Sequence, residues 1–203
     1  MRQWGLGGVK KLKMMKKHWV RITPEGVEVD GKALTTSARG AALLTEVYRA
    51  RVNDYPKFFK MDELSKLGFL ASELLLQAER QQATAEENAQ AEDQRAVILF
   101  GHSGSISCDR KYQQTIARMD DFFPSPSIFV YTLPNIVTGE IAIRNHYHGE
   151  TAFYALESYD EQTMRSVIAA AFLDGATTSA ICGWLDCESD NQFEANLGIF
   201  TKE

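Results

Sequence analysis

Several things are scarce in this chain. Its 203 residues hold three cysteines, four histidines and five prolines. Cys108, Cys182 and Cys187 are odd in number and form no C-x-x-C pair. That excludes an internally complete disulfide framework and gives no zinc-finger spacing. Buried free thiols in a reducing compartment are the expectation. No apolar run nears the ~18 residues of a membrane span. The charged start lacks the apolar core of a signal peptide. A cytoplasmic protein without a membrane span is expected. Surplus positive charge is also missing. The net charge is −5 and the pI about 5.5, which argues against a nucleic-acid partner. The basic residues gather at Lys10, Lys11, Lys13, Lys16, Lys17 and Arg21, read as a solvated tail.

Reactive motifs are missing too. The turn "FGHSGS" at residues 100–105 follows an apolar run but has no lysine to reach a phosphate; it reads as a tight strand-to-helix turn. His146 and His148 lie two apart near Glu150 without a third ligand of clear spacing, so no metal is expected. Ser158, His146 and Asp160 could be drawn as a triad, but no G-x-S-x-G elbow surrounds a serine. No cofactor is expected. Asp120 and Asp121 read as a solvated helix face.

What is present is a pattern of alternating elements. A composition that is 44% hydrophobic suits one globular domain with a sizeable core. Residues 1–15 read as an N-terminal extension, and residues 16–203 as the domain. Around Pro24-Glu25-Gly26 lie two short strands, with a third after Asp30-Gly31. Helical spacing marks residues 36–51 and, more strongly, 61–77, where Leu64, Leu67, Leu70, Leu74 and Leu75 share a stripe. Residues 77–95 read as a polar linker or exposed helix end. "RAVILF" at 95–100 is a strand buried on both faces. Helices follow over 108–122, 136–147 and 162–173, the last ending at Asp174-Gly175. "ATTSAICGWLDC" is another buried strand. Strands separated by helices predict a layered α/β domain with a mixed, largely parallel sheet flanked by helices.

Four stretches, in order, resemble the N-terminal half of a β-ketoacyl-acyl carrier protein synthase. They are "KMDELSKLGFLASELLL" at 60–76, "AVILFGHSGSIS" at 96–107, "TLPNIVTGEIAIRNHYHG" at 132–149 and "MRSVIAAAFLDGATTSAICGWLDC" at 164–187. The third is the most specific, through Thr132, Leu133, Pro134, Asn135, Gly139 and Gly149. The resemblance runs over residues 55–187. It implies a thiolase-like layered fold, here a single N-terminal-type half, in a family that dimerises along its central sheets. The family's nucleophile is a cysteine at a helix N-terminus, where the helix field lowers the thiol pKa. Counting on from Gly149 without gaps reaches Ser158 instead. The family's two histidines belong to a second half that this chain does not match. His146 and His148 precede the nucleophile position and are not their equivalents.

The resemblance therefore implies a β-ketoacyl synthase-like protein of fatty-acid or polyketide biosynthesis. A non-condensing accessory or chain-length-factor-like subunit heads the readings. It would pair with itself or with a full ketoacyl synthase, over apolar area that a half-fold leaves uncovered. One alternative is an acyltransferase or condensing enzyme using Ser158, or one completed by a separate C-terminal half. Another is an acyl carrier protein-binding scaffold, with Lys111, Arg118 and Arg144 meeting an acidic carrier.

Overall fold

The computed structural model describes residues 14–81, 95–117 and 122–202. Seven strands form one sheet in the order β3-β2-β1-β7-β6-β4-β5. They are β1 (Met14–Thr23), β2 (Gly26–Val29), β3 (Lys32–Ala33), β4 (Arg95–Gly101), β5 (Thr151–Ala155), β6 (Ser179–Ser189) and β7 (Gln192–Lys202). The helices are α1 (Ala41–Arg51), α2 (Glu63–Arg80), α3 (Ile106–Ile116), α4 (Pro126–Phe129), α5 (Ile136–Asn145) and α6 (Glu161–Ala171). Short 3-10 turns cover Pro56–Lys60, Val130–Thr132 and Phe172–Asp174.

The sheet is mixed, as the alternation of elements predicts, but its parallel share is smaller than expected. Only β4 pairs in parallel, with β5 on one side and β6 on the other. The pairs β1–β2, β2–β3, β1–β7 and β6–β7 are antiparallel. The reason is local. Short turns close β1–β2 and β6–β7, and a short turn can only reverse direction. Element spacing alone brought out neither β5 nor the longer β7. Its buried residues Phe193, Ala195, Leu197 and Ile199 fall at every second position, the alternation of a strand with one face in a core.

Most of the core lies on one face of the sheet. There α2 is buried nearly all round, from Leu64 to Leu76. It begins where the Asp62 side chain accepts a hydrogen bond from Ser65 N–H at 3.1 Å, an N-cap. Its leucines lie against Val20, Ile181, Leu185 and Leu197 of the strands, with α1 and α5 alongside. Each such buried leucine contributes about 1.5–3 kcal/mol relative to exposure. The opposite face carries α6 alone, over Ile98, Phe100, Ala180 and Cys182. Beyond β6 that face turns polar, with Arg21 donating to Glu194 at 3.1 Å and Asn196 exposed. It is the solvated side of an antiparallel sheet.

Two boundaries shift. Met14 and Met15 already pair with Lys202 and Thr201, so the strand starts inside the stretch read as extension; residues 1–13 lie outside the described residues. Gln77 to Arg80 still belong to α2, and Arg95 opens β4. The rest of the expected linker, 82–94, lies outside the described residues, as do Arg118, Asp120 and Asp121.

Candidate functional site

The motif residues Thr132 to Asn135 form the turn that enters α5. Leu133 C=O accepts from Ile136 N–H at 3.0 Å, closing the turn around Pro134 and Asn135. Asn135 makes no side-chain cap. Its carbonyl instead accepts from Thr138 Oγ1 at 2.8 Å and Gly139 N–H at 3.2 Å. The expected glycine turn holds this segment from below. Ser105 Oγ donates to Thr132 C=O, and Gly104 faces Pro134. The same turn is tied to β6, because His102 N–H, Ser103 N–H and Ser103 Oγ–H all donate to Asp186 Oδ1, at 3.1, 2.7 and 2.6 Å. Asp186 went unnoticed in the sequence, where nothing local marks it as a partner of residues more than eighty positions away.

α5 ends where His146 adopts the left-handed conformation, φ 57 and ψ 35. The chain then passes over β4 at Gly149. A Cβ there would sit 2.4 Å from Arg95 C=O, so only glycine allows this crossing into β5. The crossing is anchored by Arg95, which is 3% exposed and bidentate to Glu79 at 2.7 Å to each oxygen. Burial pushes the Arg95 pKa down, but the hydrogen bonds and charge of Glu79 together with Tyr147 outweigh it and the pKa is raised. Gly139 is different. A Cβ on it would meet nothing within 4 Å, so the isolated chain gives no reason for glycine there.

β5 ends the sheet among the described residues. Val97 N–H donates to Glu150 C=O and Leu156 N–H to Gly101 C=O. By the alternation of a parallel ladder, Ala152 and Tyr154 face β4 with their amides and carbonyls. Those of Thr151, Phe153 and Ala155 point to the open edge. Exposed apolar side chains occur in the neighbouring segment: Phe129, Val130, Leu133 at 50% and Ile143 at 65%. Uncovered apolar area was expected of a half-fold. Among the described residues these side chains carry part of it, and Phe122, Phe123 and Leu173 are exposed elsewhere.

Ser158 is exposed in the loop between β5 and α6. His146 stands before β5 and Ser158 after it. The five residues of β5 lie between them, about 17 Å of strand at ~3.3 Å per residue, and among the described residues no hydrogen bond joins Ser158, His146 and Asp160, so the drawn triad is not assembled. Asp160 is the N-cap of α6. It accepts from Thr163 Oγ1 at 2.6 Å and from the amides of Thr163 and Gln162, which hold its carboxyl below the usual range. His102 Nδ1 lies 3.2 Å from Leu156 C=O. The cysteines offer no thiolate. All three are buried, and burial pushes Cys108 up to about 11, Cys187 to about 12 and Cys182 higher still. Among the described residues no group of three or more His, Cys, Asp or Glu is placed to hold a metal ion. No described helix is long and apolar enough to cross a membrane.

The expected basic patch is largely neutralised. Lys111 donates to Glu63 at 2.6 Å, and Arg144 to Asp54 at 2.7 and 2.8 Å. Another basic surface surrounds the exposed Phe59. Arg49 lies over its ring at 5.8 Å, and Lys60 follows it in sequence. Neither cation has a carboxylate partner among the described residues.

No family model and no curated protein matches the sequence. Solved structures do match its fold. One is the ishigamide ketosynthase/chain length factor, with a TM-score of 0.66 and 17% identity over 93% of this chain and 62% of that chain. A second is the ketosynthase ApeO in complex with its chain length factor ApeC from Xenorhabdus doucetiae, with a TM-score of 0.56 and 12% identity over 95% and 80%. A third is a β-ketoacyl synthase from Burkholderia phymatum STM815, with a TM-score of 0.61 and 12% identity over 95% and 59%. The chain thus has the thiolase-like ketosynthase fold, and it spans 62% of the first of these chains.

Proposed function

We propose that this chain is a non-condensing, chain-length-factor-like subunit of a fatty-acid or polyketide synthase. It pairs through the β5 edge with a full ketosynthase or with a second copy of itself. The carrying observation is that edge: five residues without charge, proline or bulge, their outward amides without a strand partner among the described residues, in a chain that also exposes Leu133 and Ile143. An uncharged, unblocked edge strand is a template for another strand. Gly139 fits the same reading, since a residue without a side chain lets a partner approach α5 closely. The fold matches support it as well, because ketosynthases and chain length factors form complexes in two of them. Ser158 has no base hydrogen-bonded to it among the described residues, which supports an accessory role over condensation there. Co-expression with a ketosynthase is the test. A stable complex is expected, with no acyl adduct on Ser158. A monomer that binds neither itself nor a ketosynthase overturns the proposal.

A second reading has one observation in its favour. Arg49, Phe59 and Lys60 form a cationic, aromatic surface suited to an acidic acyl carrier protein. A ketosynthase with this fold binds an acyl-carrier protein in a solved complex. Charge reversal at Arg49 and Lys60 should weaken carrier binding at low salt. Unchanged binding removes this reading and leaves the β5 proposal standing.

A further inference from the structure

A cleft of about 250 Å³ runs between α6 and the strands β6, β7 and β1. It lies on the face that α6 covers only in part, away from the β5 edge. Its floor is nearly bare of side chains. Gly198 stands opposite Cys182, and Gly183 opposite Leu197. Gly183 has φ 150, and a Cβ on it would sit 2.1 Å from Asn196 C=O. A Cβ on Gly198 would lie 3.0 Å from both Lys16 Cδ and Phe200 Cε2. Gly198 thus leaves the floor open beside two long side chains, while at Gly183 the missing Cβ lets the β6 and β7 backbones approach closely. Met14, Met164, Ile168 and Phe200 supply apolar walls, and Tyr159 and Asn196 are uncharged polar lining residues. Tyr159 stacks edge-on against Trp184 at 5.6 Å and adjoins Ser158.

Charge selects the occupant. Lys16 and Arg165 line the cleft against one carboxylate, Glu161. Arg165 donates to Glu161 at 3.1 Å, an exposed i,i+4 pair that solvent screens and an anion can displace. The volume holds about eight water-sized groups, at ~30 Å³ each. From these features we infer that the cleft binds a medium-chain amphipathic carboxylate. The alkyl chain lies among Met164, Ile168 and Phe200, and the carboxylate meets Arg165 and Lys16. This does not rest on pairing at β5, and it concerns a different surface.

Calorimetric titration of the isolated chain with straight-chain carboxylates from butyrate to octanoate tests it. Saturable binding should strengthen about fourfold per added CH₂. The double variant Lys16→Glu/Arg165→Glu should bind octanoate at least tenfold more weakly and prefer octylammonium. Both substituted positions are exposed, and an unchanged thermal melt verifies the fold. The inference is overturned if octanoate shows no saturable binding, if octylammonium binds the unaltered chain equally well, or if the double variant binds octanoate as before. Heat that follows protein concentration instead of carboxylate would mark the cleft as a self-association face and overturn it too. Co-purification with a ketosynthase reports separately on β5.

Discussion

The two edges of the sheet are built differently. At one end β3 is two residues long, Lys32 and Ala33, and follows a tight turn in which Asp30 and Gly31 both have positive φ. A short edge that carries a lysine offers little to another strand. At the other end β5 presents five uncharged residues, and exposed leucine and isoleucine lie in the preceding α4–α5 segment. One edge is blunted and the other is left open. The proposed pairing through β5 rests on that contrast among the described residues.

The contrast can be broken from underneath. Glu79→Ala removes the partner of the buried Arg95 and leaves its charge uncompensated at the base of β4 and β5. We expect a loss of about 3–5 kcal/mol in urea unfolding, the largest effect of the set. Ala155→Pro removes an outward amide while leaving the β4–β5 ladder in place. Pairing with a ketosynthase or a second copy should weaken at least about 100-fold, roughly 2.7 kcal/mol, with stability nearly unchanged. Gly149→Ala places a Cβ against Arg95 C=O and should cost about 1–3 kcal/mol through backbone shift, read by thermal unfolding. Lys32→Val strips the charge from the blunt edge. Two residues remain too few to seed a ladder, so light scattering should find no new association and a stability change within about 0.5 kcal/mol.

Where chemistry is local, the sequence was legible. The leucine stripe of α2, the apolar run of β4 and the Asp174-Gly175 stop each follow from neighbours a few residues apart. Gly175 indeed has φ 77 just past the last turn. The antiparallel share of the sheet was harder, because β7 alternates with polar residues and Asn191 hides among other polar groups before it. The motif Thr132 to Asn135, with Gly139 and Gly149, could be picked out in the sequence. Its meaning came from long-range partners that spacing cannot reveal. Asp186 fastens the His102–Ser103 turn, Arg95 C=O forbids a side chain at Gly149, and among the described residues alternate amides of β5 meet no second strand. The pairing of the basic residues was hidden for the same reason: Lys111 and Arg144 have carboxylate partners from distant elements, and among the described residues Arg49 and Lys60 have none.

The most direct test compares the mass in solution of a mixture of this chain and a ketosynthase before and after Ala155→Pro. Light scattering should give a complex for the unaltered chain and separate species for the variant, both with the same melting curve. A complex that survives Ala155→Pro, or none with the unaltered chain, would contradict pairing through β5.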